Sequence, residues 1–582
     1  MARGPVTEAA YHTGRLWCNL WQAASRLAPW SPLWYDGCME DARNPQDPSG
    51  TLYSVLGPPG TGKTRYLERQ IDRVTEEYGA EAIIAASFTR AAARTLTRRL
   101  TLGPEQVGTL HAMCYRWLGR PRIVETPEGL AEWNEANPSE ARRLGGAAVD
   151  RDLDGTLDVP TQRSEGDRLH QEMTVNRAKM IPRDRWGAAT RSFADDWDVF
   201  KQQTEMVDFT DLIEIALKDG VAPPHGVRVG FFDEVQDFTR LEVALVHAWA
   251  AQLDHAVLAG DDDQCIYSFK GADPLALTDR IDPQHTRTLK QSHRLPRAVH
   301  QYADRWIAQL AQRAAKPYEP RDEEGELKRD PALTPRTPNA LDKHLDSDGT
   351  TMILTSTSYH LSRIVAHLRR QGIPYHNPYR TNRPDWNPLA VPAKGTSTID
   401  RFRAYHYPAA QGDLWTHTQL AAWIDLINAN TALTTGAKQQ IKAAADSPAA
   451  FDKPDIEQVL AWFGPEHLTA ALTGDPGWLL EHAVSKHRKG LLPYLIALYR
   501  TGINVNATVQ PRVIVGTIHS VKGGEADTVV LMPDLSPQGY RSYLTRGELR
   551  DSVIRTFYVG ITRARRCLVL GGSAGPGVAW LS

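Results

Sequence analysis

The stretch GPPGTGKT, residues 57–64, holds the residue types needed to grip a polyphosphate. Gly57, Gly60 and Gly62 let the backbone curl until its N–H groups face phosphate oxygens. Lys63 brings a positive charge to the β- and γ-phosphates, and the Thr64 hydroxyl is a ligand for Mg²⁺. Pro58, Pro59 and Thr61 complete the loop and Arg65 follows it, so this whole segment is expected to line ATP. A second chemical cluster lies far downstream in FFDEVQDFTR (231–240), where Asp233, Glu234 and Asp237 arrive close together. A phosphate loop needs a carboxylate from a neighbouring strand end to hold its metal. Asp233 suits that role, and Glu234 suits the base that polarises an attacking water. Each cluster has a plain alternative: a Gly-Pro turn that happens to contain Lys-Thr, or a strand leaving the core for water. The flanking elements argue against the first, and the phosphate loop itself argues against the second.

Those elements can be read directly. TLYSVLG (51–57) is a strand running into the glycine loop, and RYLERQIDRV (65–74) is a helix leaving it. AIIAASF (82–88), VRVGFFDE (227–234) and HAVLAGDD (255–262) are short apolar runs with polar ends. Strands buried on both faces of a parallel sheet have this pattern. RAAARTLTRRL (90–100) has helical character. A second strand series comprises TMILTST (351–357), RVIVGTIHS (512–520), DTVVLMP (527–533) and RCLVLGG (566–572). The expected fold is α/β with two parallel-sheet cores, whose ligands sit at the C-terminal strand ends. Each core is interrupted once. Residues 121–205 are rich in charge, Gly and Pro; residues 386–502 are mainly helical in pattern, with Trp415, Trp423, Trp462 and Trp478. The first core is therefore expected over 51–120 and 206–298, and the second over 299–385 and 503–582. Residues 1–50, with Trp17, Trp21, Trp30 and Trp34 and no clear period, read as an N-terminal extension of unknown role, with Met39 as an alternative start.

At 582 residues the chain exceeds the ~250–300 residues that one core sustains. Its 67 Lys and Arg nearly balance 69 Asp and Glu, for a net charge of −2. That balance does not exclude nucleic acid, because a binder of this size needs only a local basic groove. The five cysteines are far apart and form no CxxC pair, which argues against a disulfide framework or a zinc site and fits a cytoplasmic location. No apolar run reaches the ~18 residues of a membrane span, and the N-terminus lacks the apolar core of a signal peptide.

DEVQD (233–237) and GDDDQCIYSFKGA (260–272) together resemble motifs II and III of superfamily 1 helicases, in the UvrD/Rep/PcrA-like group. The resemblance continues in order over about 51–582. SFTRAAARTL (87–96) and GTLHAMCYRWL (108–118) resemble motifs Ia and Ib, and VDFTDLI (207–213) the segment before motif II. LKQSHR (289–294), TIHSVKGGEAD (517–527) and RTFYVGITRAR (555–565) resemble motifs IV, V and VI. The resemblance implies two RecA-like domains with ATP between them, each carrying an inserted, mainly helical subdomain. It implies an ATP- and Mg²⁺-dependent DNA helicase that walks 3′→5′ on single-stranded DNA and acts at single-strand/duplex junctions in replication, repair or recombination. Replication or repair proteins would be its partners. The alternative is an ATPase stimulated by single strands that remodels or loads proteins on DNA without processive unwinding.

The same resemblance assigns Gln264 as the γ-phosphate sensor, Arg294 and Arg563 as the arginines that close on that phosphate, and Lys522 and Glu525 as nucleotide contacts, Glu525 near the ribose. On the DNA side, Phe88, Tyr267 and Phe269 resemble base-stacking positions, with core packing as the alternative. Thr89, Arg90, His111, Lys270 and His519 are expected to touch phosphates or couple motifs. Between Ile84 and Arg120, arginines at 90, 94, 98, 99, 116 and 120 face one acid, Glu105, which suggests a basic groove and salt-sensitive binding. Gln236 is a candidate link between the two sites. Three features depart from the family. No glutamine ahead of the loop is placed to read adenine, His293 stands where a Tyr is usual, and Gly524-Glu525-Ala526 replaces Leu-Glu-Phe.

Overall fold

Parallel strands covered on both faces need continuous apolar runs, and the chain supplies such runs twice. The computed structural model describes residues 51–88, 102–103, 105–145, 164–277, 281–345, 348–381, 383–390, 395–504 and 510–579. The N-terminal extension, Thr89, Arg90 and the arginines at 94, 98 and 99 lie outside the described residues. In chain order the strands are β1 (Thr51–Leu56), β2 (Ile83–Ser87), β3 (Val107–Gly108), β4 (Arg122–Ile123), β5 (Met206–Val207), β6 (Val229–Asp233) and β7 (His255–Gly260). They continue as β8 (Thr286–Thr288), β9 (Glu326–Asp330), β10 (Thr351–Thr355), β11 (Tyr375–His376), β12 (Val513–Thr517), β13 (Ala526–Leu531) and β14 (Ala564–Gly571).

The first sheet runs β3-β2-β6-β7-β1-β8 and the second β11-β12-β10-β13-β14-β9. All pairings within both are parallel. These are the two RecA-like α/β domains. Their central strands β2, β6, β10 and β12 are buried along their whole length. The four strands at the sheet edges, β3, β8, β9 and β11, are the ones the apolar pattern did not reveal. β8 reads TRT and β9 reads ELKRD, because an edge strand keeps water on one side and needs no apolar run.

Register decides what the first sheet brings together. β1 aligns with β7 so that Leu56 lies opposite Gly260, and β2 aligns with β6 so that Ser87 lies opposite Asp233. The glycine loop, Asp233 and Asp261 therefore emerge at one edge, the C-terminal ends of parallel strands.

The short pair β4–β5 clasps the two ends of the first insertion. Helices Pro127–Ala136, Glu165–Ala178 and Ala188–Thr204 close there around Trp133, Phe193, Trp197 and Phe200. The second insertion is helical and packs around Tyr405, Trp415, Trp423, Phe463 and Trp478, in one apolar core with a face of the second sheet. A further core is shared by the two sheet domains: Cys265, Ile266 and Tyr267 pack with Ile514, Ile518 and Val521. Among the described residues no helix is long and apolar enough to cross a membrane.

Candidate active site

The glycine loop ends in the helix Lys63–Tyr78, whose N-cap is Gly62 in the left-handed region (φ 78°). Helix N–H groups therefore point into the loop, a ready site for anions. Thr61 Oγ1 donates to the Pro58 carbonyl at 2.8 Å and closes the curl. The segment before the second domain braces it from outside. Ser292 Oγ donates to Pro59 O at 2.8 Å, and the His293 N–H donates to Gly60 O at 2.8 Å. A side chain on Gly60 would overlap Arg294 and come within 2.8 Å of Ser292 Oγ, so close approach as well as φ requires glycine. The backbone of His293 thus has a clear task, whatever its ring does.

Lys63 Nζ lies 2.8 Å from Glu234 Oε1 and 3.5 Å from Asp233 Oδ1. Burial works against the ammonium, but Glu234 and then Asp233 outweigh it and hold the charge firmly on the lysine. Burial also opposes the Glu234 carboxylate; Lys63 and then Lys522 overcome it and bring Glu234 down to about 2. Burial pushes neighbouring Asp233 up against the pull of Lys63. Glu234 itself sits at φ 57°, a left-handed conformation that costs a non-glycine residue roughly 1–2 kcal/mol. From that turn its carboxylate meets Lys63 and Gln236. Thr64 Oγ1 lies 3.4 Å from Asp233 Oδ2, so a hydroxyl and a carboxylate converge. This donor pair fits Mg²⁺, which is held by one or two protein oxygens together with substrate phosphates and water.

From Glu234 a line of polar contacts crosses to the other sheet. Gln236 Nε2 donates to Glu234 Oε2 at 2.5 Å, and its Oε1 accepts from the Asp261 N–H at 3.0 Å. Gln264 Nε2 donates to Asp261 Oδ2 at 2.7 Å, and its Oε1 accepts from Arg563 Nη2 at 2.8 Å. Arg563 is buried; burial first, then Arg294, brings its guanidinium down to about 9. Lys522 makes a second crossing. It pairs with Asp237 and donates to the Gln264 carbonyl at 2.8 Å. Burial lifts Asp237 to about 7 although Lys522 opposes the shift, and its Oδ1 has no hydrogen-bond partner among the described residues. Arg294 Nε donates to Glu525 Oε2 at 2.7 Å, and Glu525 also lies 3.5 Å from Arg565.

Sequence reasoning missed several partners. Lys316, 1% exposed at its side chain, sits 2.6 Å from Asp262, 2.8 Å from Asp263 and 3.3 Å from Asp261. Three consecutive acids after a buried strand were the signal that a buried cation had to exist. Asp237 was visible as an acid, but its partner Lys522 is 285 positions away.

The proposed DNA side divides. Phe88 and Phe269 are partly open, whereas Tyr267 and His519 are 2% and 1% exposed. Tyr267 lies 5.2 Å from Phe88, 6.1 Å from Phe269 and 6.1 Å from His519 between ring centroids, so core packing and not an open stacking face is what the fold gives it. Burial brings His519 down to about 3, so it is neutral and couples elements instead of offering charge to a phosphate. Lys270 Nζ sits 5.8 Å over the Phe269 ring. His111 Nδ1 lies 3.4 Å from Glu242. Arg116 and Arg120 both face Glu105, at 3.0 and 3.9 Å, which moderates the basic stripe expected there.

A family model described as an AAA domain matches residues 46–270. The ATP-dependent DNA helicase UvrD2 of Mycobacterium tuberculosis is 26% identical over 294 residues, 45% of this chain and 42% of that protein. DNA helicase II of Escherichia coli is 27% identical over 243 residues, 38% of this chain and 32% of that protein. The ATP-dependent DNA helicase PcrA of Leuconostoc citreum is 26% identical over 275 residues, 43% of this chain and 36% of that protein. The chain spans less than half the length of each of these relatives in the matched segments.

Proposed function

We infer that this chain, a UvrD/Rep/PcrA-like superfamily 1 protein, is an ATP- and Mg²⁺-dependent motor that walks 3′→5′ on single-stranded DNA and separates duplex at junctions. The observation that carries the reading is the unbroken polar line from Lys63 through Glu234, Gln236, Asp261 and Gln264 to Arg563. It joins a phosphate loop on one sheet to a guanidinium on the other. Phosphate between them competes for Lys63 and Arg563, so binding and release must change how the sheets meet.

In this reading Gly57 to Arg65 bind the triphosphate, and Thr64 and Asp233 hold Mg²⁺, which neutralises phosphate charge when bound. Glu234 orients and deprotonates the attacking water once phosphate has drawn Lys63 from it. Arg294 and Arg563 stabilise charge developing on the transferred phosphoryl group, a contribution of ~10³–10⁵ in rate for such arginines. Gln264 senses the γ-phosphate, and Lys522 and Glu525 complete the nucleotide contacts. Phe88, Phe269, Lys270 and His111, with Thr89 and Arg90, form the DNA side; Tyr267 and His519 support it from beneath. The domain division at 121, 206, 386 and 503, a cytoplasmic location and replication or repair partners belong to the same proposal.

Duplex stacking averages ~1.4 kcal/mol per base-pair step, within reach of one ATP. A forked duplex with either a 3′ or a 5′ tail tests the proposal. Strand separation with Mg²⁺, ATP and a 3′ tail is expected; separation only from a 5′ tail would reverse the polarity. The burial of Tyr267, which removes one ring from the stacking surface, favours a second reading as a single-strand-stimulated remodeller. ATP hydrolysis that rises with single strands while neither fork opens would select it.

A further inference from the structure

Gly524 and Glu525 form a turn that serves both arginines. The Gly524 carbonyl accepts from Arg563 Nη1 at 3.2 Å, and the Glu525 carboxylate accepts from Arg294 Nε at 2.7 Å. Gly524 is not among the residues with positive φ, so its backbone does not demand glycine. The ring of Tyr379 instead occupies the space that a side chain there would take. A Cβ at position 524 would overlap the Tyr379 hydroxyl and Cζ and come within 2.7 Å of its Cε2.

Tyr379 is held there by a built loop, not by chance. It follows β11, and its N–H donates to Asn377 Oδ1 at 3.0 Å. Buried Asn377 donates through Nδ2 to the Val515 carbonyl of β12 at 2.8 Å, and its own N–H is bound by Asn387 Oδ1 at 3.0 Å. Asn387 Nδ2 then holds the Arg380 carbonyl at 2.7 Å. Two asparagines therefore fix the backbone on both sides of Tyr379. The tyrosine hydroxyl meets the Glu525 backbone beside the arginine pair, while the residue as a whole remains 37% exposed. The missing side chain at 524 and the bulky ring at 379 are two halves of one fit, 145 positions apart in sequence.

We propose that Tyr379 is a positioning residue for nucleotide binding: its ring fills the space left at Gly524 and fixes the turn that presents Glu525 to Arg294 and a carbonyl to Arg563. The proposal rests on the ATP-dependent reading above and adds a residue to it. Substitution of either half should loosen the turn before it touches the phosphate loop, so nucleotide affinity falls more than turnover.

The test uses the full chain with Mg²⁺, a fluorescent ATP analogue for binding and steady-state ATP hydrolysis for KM and kcat. Tyr379→Ala and Gly524→Ala are each expected to weaken binding and raise KM by about fivefold, the scale of one lost hydrogen bond with its packing, with kcat changed less. The double variant is expected to be no weaker than the poorer single variant, because both break one contact. Tyr379→Phe keeps the ring and should recover most of the affinity. Unchanged binding in both single variants, or fully additive losses in the double, overturns the proposal. If Gly524→Ala lowers the thermal midpoint, Tyr379→Ala against Tyr379→Phe decides alone: equal affinities overturn it. A wild type that binds no ATP analogue would remove the ATP-dependent reading and this proposal together; a binding-competent wild type with insensitive variants removes this proposal only.

Discussion

Two of the buried ion clusters, one at the root of the first insertion and one in the cleft between the two sheet domains, are satisfied to different degrees. At the root of the first insertion, Arg177 reaches Asp208 at 2.6 Å, Asp211 at 2.5 Å and Glu214 at 2.7 Å. Lys201 reaches Asp208 at 3.0 Å and Asp211 at 2.7 Å, and the Trp197 indole N–H donates to Asp208 at 2.9 Å. Burial opposes the Asp208 carboxylate, yet Arg177 and Lys201 hold it far below its ordinary range; Asp211 is lifted, by burial and then Asp208. In the cleft the balance fails. Asp237 rises to about 7, Arg563 falls to about 9, and Asp237 Oδ1 has no hydrogen-bond partner among the described residues. A cluster whose charges close on one another supports a joint between elements. A cluster that leaves charges poorly matched is poised for a ligand that will match them.

The contrast can be broken by exchanging symptoms between the clusters. Arg563→Ala should lower kcat by ~10³–10⁵ in an ATPase assay. A fall of less than tenfold would move Arg563 to the structural side. Arg177→Ala should instead destabilise by ~3–5 kcal/mol in denaturant melts, since it leaves buried carboxylates unpaired, while the folded fraction keeps its KM for ATP. Loss of ATP affinity without loss of stability would invert the assignment.

Asp237 sharpens the comparison through pH. Its folded pKa of about 7 lies above the usual carboxylate value of 3.8, so between these values the folded state keeps a proton that the unfolded chain releases. Stability should therefore fall as pH rises through this window, by at most ~4 kcal/mol, and level off above it. Asp237→Asn should flatten that slope when unfolding is followed at pH 4.5 to 7.5, about the same window. Identical slopes in both proteins would remove the unmatched carboxylate from the account. The smallest effect is expected from Gln264→Ala. Basal hydrolysis should stay within about tenfold of wild type while stimulation by single strands is lost, because the amide is one link in the line and not its only member. Full stimulation in that variant would end its role as sensor.

Much of this was readable in the chain. The loop 57–64, Asp233 and Glu234 were visible because phosphate and metal chemistry demands fixed residue types at short spacing. The central strands were visible because both faces are buried. The edge strands were not, since β8 and β9 carry the polar residues that one wet face allows. Long-range pairs were also hidden. Nothing near Asp237 announces Lys522, nothing near Gly524 announces Tyr379, and Lys316 lies 54 positions beyond the aspartate it binds most closely. Tyr267 was legible as a motif ring with stacking and core packing both open, and the choice was hidden because the core that covers it is assembled from both domains; the burial of His519 had no local signal.

The most direct test of the central claim is ATP hydrolysis by the wild-type chain with Mg²⁺, measured with and without single-stranded DNA and again for Lys63→Ala. The account predicts turnover that rises with single strands and disappears with Lys63. Turnover indifferent to single strands, or retained in Lys63→Ala, would contradict it.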